Sequence, residues 1–136
     1  MRVREFRRED RGRVREFWVA CGIRIRPGDD DDSLSAFAAR NPGLFLLAED
    51  GDRIVGSALG GWDGRRGWLY HVAAHPDARR KGIASDLVGR IEARLREMGC
   101  WKLNLIVWED NADAMRFWES IGYEREKAVE YGKHLA

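Results

Sequence analysis

The sequence is poor in the residue types that mark several special classes of protein. Its 136 residues include only two cysteines, three prolines and four lysines, and no apolar run is long enough to span a bilayer. Cys21 and Cys100 form no CxxC pair and no cluster with zinc-ligand spacing, so we expect small, buried, reduced thiols and no metal site. The 15 glycines follow no fixed period, which excludes a collagen-like chain.

An excess of one charge sign is also missing. Lys and Arg total 24 against 23 Asp and Glu, whereas a nucleic-acid-binding protein usually carries a clear basic excess. The arginines of the first predicted helix (Arg11, Arg13 and Arg15) are better explained as a solvated helix face than as a nucleic-acid surface. The start, Met1-Arg2-Val3-Arg4, lacks the apolar segment of a signal peptide, so we expect a cytoplasmic protein without membrane contacts.

The remaining composition is that of an ordinary globular protein. Hydrophobic residues make up 44% and charged residues 35% of the chain, which is enough apolar mass to offset the entropy lost on folding. A chain of this length favours one domain over two. No repeat or linker is visible, and we therefore expect a single domain over residues 1–136.

Hydrophobic periodicity predicts the order β-α-α-β-β-β-α-β-α-β, an α/β (α+β) fold in which helices cover both faces of a mixed sheet. A helical stripe of Ile83, Leu87, Ile91, Leu95 and Met98 ends at Gly99. It lies between two strands that should run parallel. The predicted strands are 2–6, 44–49, 53–61, 68–74, 102–108 and 123–131, and the other predicted helices are 10–21, 33–40 (capped by Ser33) and the one capped by Asn111.

The segment from His75 to Ala84 carries the clearest chemical signal. It joins a buried strand to a helix and places three consecutive cations (Arg79, Arg80 and Lys81) before Gly82. Helix N-termini offer unpaired N–H groups, and glycine allows close approach to them, so the segment suits a phosphate or pyrophosphate. It matches neither GxxxxGK[ST] nor GxGxxG. The alternative is a solvated basic turn before an amphipathic helix.

Two sequence motifs in the second half of the chain are informative when they are taken together. The first is Arg79-x-x-Gly82-x-Ala84 after a strand, and the second is Asn111-x-x-Ala114-x-x-Phe117-Trp118-x-x-x-Gly122-Tyr123. With their separation and the element order, they resemble the GCN5-related N-acetyltransferase (GNAT) family over essentially the whole chain. The resemblance is strongest to small bacterial single-domain members of the YpeA type.

That resemblance implies a six- to seven-stranded sheet, splayed between the fourth and fifth strands, and acetyl-CoA as co-substrate without a metal. The backbone of the fourth strand would bind pantetheine, the loop N–H groups would bind pyrophosphate, and Asn111 would contact pantetheine or merely cap its helix. The implied cofactor-binding residues are Val72, Ala73, Ala74, Arg79, Arg80, Lys81, Gly82, Ile83, Ala84, Ser85, Asn111, Phe117 and Trp118.

The resemblance also implies direct attack of a primary amine on the thioester in a ternary complex. Many members use a tyrosine acid at the position of Trp118, and an indole N–H cannot release a proton usefully. Three interpretations follow. Trp118 lines the thioester channel; or Tyr70, Tyr123 or water supplies the proton; or the protein is an acyl-CoA-binding or regulatory module with weak or no turnover.

The base that removes the ammonium proton has several candidates. His71 lies on the fourth predicted strand, and histidine as a residue type, with an unperturbed pKa of about 6.5, suits this task; a hydrogen-bonded core histidine is an equal explanation. Glu109 ends the next strand and is otherwise a solvated loop residue. A water relay needs no named residue, and His75 is interpreted as structural.

The resemblance also implies a region that would bind the acceptor amine. The loop between the first two helices often borders the acceptor site in this family, and here it contains the four carboxylates of residues 29–32. These would favour a cationic acceptor such as a polyamine, an aminoglycoside, a lysine or an N-terminal amine. Trp62, at the end of the predicted strand 53–61, would line the same pocket. The alternatives are a solvated acidic loop and, for Trp62, simple packing. A monomer and a homodimer are both compatible with the sequence.

Overall fold

The computed structural model describes residues 1–136, which divide into two compact units, Met1–Leu105 and Ile106–Ala136. The first unit holds one five-stranded sheet in the order β1-β2-β3-β4-β5, antiparallel through β4 and parallel between β4 and β5. Its elements are β1 Arg2–Glu5, α1 Arg11–Ala20, α2 Asp31–Arg40, β2 Phe45–Asp50, β3 Arg53–Trp62, β4 Gly67–Ala74, α3 Ile83–Glu97 and β5 Leu103–Asn104. The α/β fold class and the mixed sheet are confirmed.

One face of the sheet is covered by α1 and α2. Phe45 and Leu47 of β2 are fully buried there, and the intervening residues of the strand point to the opposite face because side chains alternate along a strand. The members of this core cluster are Phe6, Val14, Phe17, Trp18, Leu34, Phe45, Leu47, Ile54 and Leu59. Two buried faces explain why β2 is apolar almost throughout rather than alternating.

The other face is covered by α3. Its predicted stripe is correct for Ile83, Leu87, Ile91 and Leu95, each no more than 4% exposed. Met98 does not continue the stripe: it caps the C-terminus of the helix and is 43% exposed. The helix has already ended at this position, so the side chain leaves the buried face.

Several predicted elements are wrong in number or length. The sheet has five strands rather than six to seven, because residues 123–131 form no strand. The strand predicted over 102–108 is reduced to Leu103–Asn104. The N-cap of α2 lies three residues earlier than predicted: it is Asp30, not Ser33, and the Asp30 side chain accepts a hydrogen bond from the Ser33 N–H. Both cysteines are free and half-buried, less buried than predicted.

The second unit contains one helix, α4, over Ala112–Ser120. Asn111 caps it as predicted, its side-chain oxygen accepting the Ala114 N–H at 3.1 Å. No helix of either unit combines the length and the apolar character that a membrane crossing requires.

The parallel pair at the end of the sheet is unusually short. Strand β4 has eight residues, yet it pairs with β5 only at Gly67 with Leu103 and at Trp68 with Asn104. From residue 69 onward, no strand of the sheet pairs with β4 on that side. This agrees with the predicted splay between the fourth and fifth strands.

Candidate active site

Strand β4 contains a bulge in the part that β5 leaves uncovered. Residues 71 and 72 together face Ala58, the single β3 residue between two regular pairs. His71 has φ +45°, which few residues other than glycine adopt, although histidine is among those enriched there. The bulge therefore turns the His71 side chain away from regular strand alternation.

A chain of buried hydrogen bonds holds the bulge in place. The Trp18 indole Nε1 donates to Ser57 Oγ at 2.9 Å, and Ser57 Oγ donates to the His71 carbonyl oxygen at 2.7 Å. Trp18 and Ser57 are both fully buried. A buried hydroxyl that lost one of these partners would leave a polar group unsatisfied, so the chain stabilises this one backbone conformation.

The His71 imidazole contacts a carboxylate and an indole. Its Nε2 lies 2.9 Å from Asp29 Oδ1, and its ring centroid lies 4.4 Å from that of Trp18. The His71 side chain is 25% exposed and that of Asp29 is 11% exposed. His71 is thus a hydrogen-bonded, partly accessible histidine, which agrees with both of the interpretations proposed for it.

The loop between β4 and α3 presents cations without carboxylate partners. Arg79, Arg80 and Lys81 are exposed and form no ion pair, and Arg80 has φ +68°. Gly82 follows with φ +75° and is the N-cap of α3. The left-handed residues turn the chain sharply into the helix, so the three positive charges precede its first turn.

The first turn of α3 supplies backbone donors. No hydrogen bond within the chain uses the N–H groups of residues 79–85, as expected at a helix start. Ile83 is buried in the core, whereas Ala84 and Ser85 are half-buried, and Ser85 Oγ donates to the Gly82 carbonyl. Free N–H groups, a helix N-terminus and three unpaired cations form an arrangement that fits a pyrophosphate group.

The residues predicted to bind pantetheine follow the bulge. Val72, Ala73 and Ala74 are half-buried on β4, in the part with no strand on the β5 side. The Ala74 carbonyl accepts a hydrogen bond from the Cys21 thiol, and a carbonyl oxygen has a second lone pair. Burial raises the pKa of Cys21 despite the nearby charge of Arg79, so this thiol stays protonated as a donor.

Tyr70 precedes the bulge and is 47% exposed. Its ring packs edge-on against Phe37, with centroids 6.0 Å apart. Burial, with a smaller effect of Asp63, raises the pKa of Tyr70 above its usual range. A phenol of raised pKa remains protonated near neutral pH, so Tyr70 is suited to donate a proton and unsuited to remove one.

The other predicted site residues lie in the second unit. Glu109 is exposed and forms no hydrogen bond or ion pair. Trp118 is 9% exposed, with Phe117 and Tyr123 edge-on against its ring at 5.0 Å each. Asn111 acts as a helix cap, which is the structural one of its two predicted roles.

Most of the acidic loop before α2 is engaged within the protein. Asp29 contacts His71, Asp30 caps α2, and Asp31 pairs with Arg15 at 2.7 Å. Only Asp32 of the four carboxylates has no partner. The loop therefore offers an acceptor amine much less free negative charge than four carboxylates suggest.

The contact between Asp29 and His71 is the feature of the site that sequence reasoning missed. The sequence indicates Asp29 only as one member of an acidic run, whereas the structure places its carboxylate against His71, 42 residues further along the chain. No local pattern signals this contact. The signal available was the topology, which brings the loop before α2 beside the middle of β4.

A family profile described as Acetyltransferase (GNAT) family matches residues 11–123. The chain belongs to this family. An acetyltransferase of Pectobacterium atrosepticum is 39% identical over 136 residues, which cover 99% of this chain and 96% of that protein. The predicted GNAT membership is confirmed, and acyl transfer is the class of activity that membership and relatives support.

Solved structures show the same fold. Naa20 of Chaetomium thermophilum, in complex with a bisubstrate analogue, superposes with a TM-score of 0.80 at 26% identity, covering 91% of this chain and 71% of that one. PaiA N-acetyltransferase of Thermoplasma acidophilum, in complex with coenzyme A, has a TM-score of 0.80 at 19% identity, with 94% and 92% covered. The second likeness concerns the fold alone.

Proposed function

We propose that this GNAT chain is an acetyl-CoA-dependent N-acetyltransferase that acts on a primary amine by direct attack within a ternary complex. The supporting observation is the junction of β4 and α3. There, unpaired N–H groups and three unpaired cations adjoin a strand edge that no other strand covers. We also propose that residues 1–136 work as one catalytic domain.

The chain's residues fit acetyl-CoA in two places. The backbone N–H groups of residues 80–85 would hold the pyrophosphate, with Arg79, Arg80 and Lys81 adding charge. The open edge of β4 at Val72 and Ala74 would hold the pantetheine amides, as another strand would. When bound, acetyl-CoA supplies a thioester carbonyl as the electrophile.

Proton transfer is assigned to side chains near the bulge. His71 would remove the proton from the acceptor ammonium, because only the neutral amine is a nucleophile. Tyr70, kept protonated by its raised pKa, is one donor for the departing sulfur. A thiolate leaves readily because a thiol pKa is near 8.5. The donor therefore assists the reaction without being essential.

The first test is thermal unfolding with saturating acetyl-CoA, CoA or ATP. A ligand at ~100 times its dissociation constant stabilises the native state by ~2.7 kcal/mol, which raises Tm by several degrees. We expect a rise with acetyl-CoA and CoA but not with ATP. If none of the three ligands raises Tm, the loop before α3 is only a solvated basic turn.

The second test identifies the reaction. Thiol release from acetyl-CoA is measured with a polyamine, an aminoglycoside and a peptide that carries lysine and N-terminal amines. We expect at least one amine to increase thiol release above the rate of hydrolysis, with the acetylated amine detected by mass spectrometry. Binding without any transfer would favour the alternative function, an acyl-CoA-binding module.

The identity of residue 118 favours the alternative function, an acyl-CoA-binding module, because the indole of Trp118 stands where many family members have a tyrosine phenol. Trp118→Tyr and Trp118→Phe separate the two functions. For an enzyme that needs no acid here, both variants keep turnover within a few-fold of the native protein. A many-fold gain in Trp118→Tyr alone, from a near-zero background, would identify the native protein as a binding module.

A further inference from the structure

We propose that Asp29 is a positioning residue that fixes the tautomer of His71 and leaves Nδ1 free to accept a proton. This inference rests on the proposed function, because it assigns a role to the base of that reaction. It gives the loop between α1 and α2 a part in catalysis that does not depend on the identity of the acceptor. The observation that carries it is the 2.9 Å contact between Asp29 Oδ1 and His71 Nε2.

The contact determines which ring nitrogen carries the proton. A carboxylate has no hydrogen to donate, so a hydrogen bond at this distance requires the proton to be on Nε2. In a neutral imidazole the other nitrogen then has a free lone pair. No group of the protein donates to Nδ1. The nitrogen that can act as a base is therefore the one directed away from Asp29.

The carboxylate itself is held by its own loop. Asp29 Oδ2 accepts the Arg26 N–H at 3.1 Å, and the Asp29 N–H donates to the Arg26 carbonyl at 2.9 Å. Arg15 donates to the Asp29 carbonyl at 3.3 Å. Asp29 is only 8% exposed, whereas Asp30, Asp31 and Asp32 are all exposed. One carboxylate of four is thus fixed and buried, and it is the one that meets the histidine.

The histidine is held from the opposite side. The bulge fixes its backbone through the Ser57 bond to the His71 carbonyl, and the ring packs on Trp18. With Asp29 on Nε2, the imidazole has little freedom to rotate or to exchange its nitrogens. A carboxylate that orients a catalytic imidazole acts through geometry and tautomer, without itself taking the proton.

The proposed acetyl transfer balances in protons and electrons without a further reagent. His71 Nδ1 accepts one proton from the acceptor ammonium, and Asp29 faces the imidazolium that forms. The freed nitrogen lone pair forms the C–N bond to the thioester carbonyl carbon. The C–S electron pair leaves with sulfur, and a second N–H proton passes through solvent to neutralise the thiolate.

The kinetic test uses Asp29→Asn, His71→Gln and the double variant, with Asp52→Asn as control. Asp52 is an exposed turn residue whose side chain has no partner. A general base contributes ~10²–10⁴-fold, so we expect Asp29→Asn to lower kcat by about tenfold or more. Acetyl-CoA affinity and the Asp52→Asn rate should be unchanged.

The double variant separates positioning from direct binding of the acceptor. If Asp29 acts through His71, Asp29→Asn has no further effect once His71 is Gln. If Asp29 instead binds the acceptor itself, the two losses multiply and KM for the amine rises. The second result would overturn the proposal. Thermal unfolding of each variant confirms that the protein is folded during the assay.

A readout independent of turnover is the ¹⁵N spectrum of the imidazoles, since the chain has only three histidines. For the neutral imidazole of His71 we expect a protonated Nε2 and a bare Nδ1, with this preference lost in Asp29→Asn. A proton on Nδ1 in the native protein would overturn the proposal. Native turnover that Asp29→Asn leaves unchanged would overturn this inference alone. A native protein that transfers acetyl to no amine would overturn the proposed function.

Discussion

Ile83, the first residue of α3, lies directly against Gly56 of β3. A Cβ atom at Gly56 would be 2.5 Å from Ile83 Cγ2, closer than real Cβ atoms approach other atoms. It would also meet Ala48 and Leu87 at 3.2 Å each. The missing side chain at position 56 therefore sets how closely the start of α3, and the loop before it, approaches the sheet.

Substitution of Gly56 should therefore displace the helix start. We expect Gly56→Ala to destabilise the protein by roughly 1–3 kcal/mol, the usual effect of overpacking a core. The matched control is Gly89→Ala in the exposed part of α3, where nothing lies within 4 Å of the added methyl. That variant should gain about 0.5–1 kcal/mol from helix propensity. Urea unfolding measures both, and equal midpoints would contradict the assigned contact.

The unpaired cations of the loop before α3 should affect binding rather than folding. Exposed charge contacts contribute ~0.5–1 kcal/mol, so Arg79→Gln and Lys81→Gln should each weaken acetyl-CoA binding about 2- to 5-fold. Arg96→Gln, an exposed cation near the other end of α3, is the control. Calorimetric titration at low and high salt measures the affinities. An Arg96 effect as large as the others would indicate only a general electrostatic attraction.

Asn111 allows its two predicted roles to be separated. Loss of a helix N-cap costs ~1 kcal/mol, so Asn111→Ala should destabilise the protein by about that amount. Asn111→Asp keeps the capping oxygen and should keep the stability. If capping is the whole role, both variants bind acetyl-CoA with native affinity. Weaker binding by a normally stable Asn111→Asp would instead indicate a contact with pantetheine.

Arg4 connects β1 to two carboxylates and makes the stability of the fold depend on pH. Burial alone would raise the pKa of Asp10, but hydrogen bonds from Arg4 at 2.7 and 2.8 Å and from the Arg7 N–H hold it below its usual value. Arg4 likewise lowers the pKa of Glu49 through hydrogen bonds at 2.7 and 3.2 Å. A lowered carboxyl pKa gives stability that is present above the unfolded value and lost as the pH falls.

We therefore expect the free energy of unfolding to be steady near neutral pH and to decline below about pH 4, where carboxyl groups of unfolded chains titrate. Arg4→Met should lower stability by about 1.5–3 kcal/mol at pH 7, because it removes charged hydrogen bonds. The variant should lose less on acidification than the native protein. Parallel pH curves for the two proteins would show that other groups determine the acid response.

Local patterns predict the elements whose packing they encode. The alternation of β1, the Asp-Gly turn between β2 and β3, and the stripe from Ile83 to Leu95 give bounds within one or two residues. The predicted elements are wrong where the structure of a segment depends on what other parts of the chain contact it. Residues 123–131 have an extended pattern but no strand pairs with them, and Asp30 competes successfully with Ser33 for the cap of α2.

The site is predictable only in part for the same reason. The loop cations and Gly82 are adjacent in sequence, so their joint role could be proposed from spacing alone. The His71 bulge arises from a mismatch in register between two strands, which neither strand's pattern contains. The Asp29 contact depends on the path of the chain between α1 and α2. Contacts of this kind form only in the tertiary structure, and no periodic pattern in the sequence indicates them.

The positive φ of His71 also limits how this position can change in evolution. Beyond glycine, the left-handed region is occupied mainly by asparagine, aspartate and histidine, and a β-branched residue there is strongly disfavoured. Codons for asparagine and aspartate differ from a histidine codon by one base. Two substitutions at residue 71, to asparagine and to aspartate, therefore need only one base change each, and both would keep the bend of the strand while removing the imidazole. A relative with asparagine or aspartate at this position would keep the shape of the protein and lack the imidazole that we propose as the base.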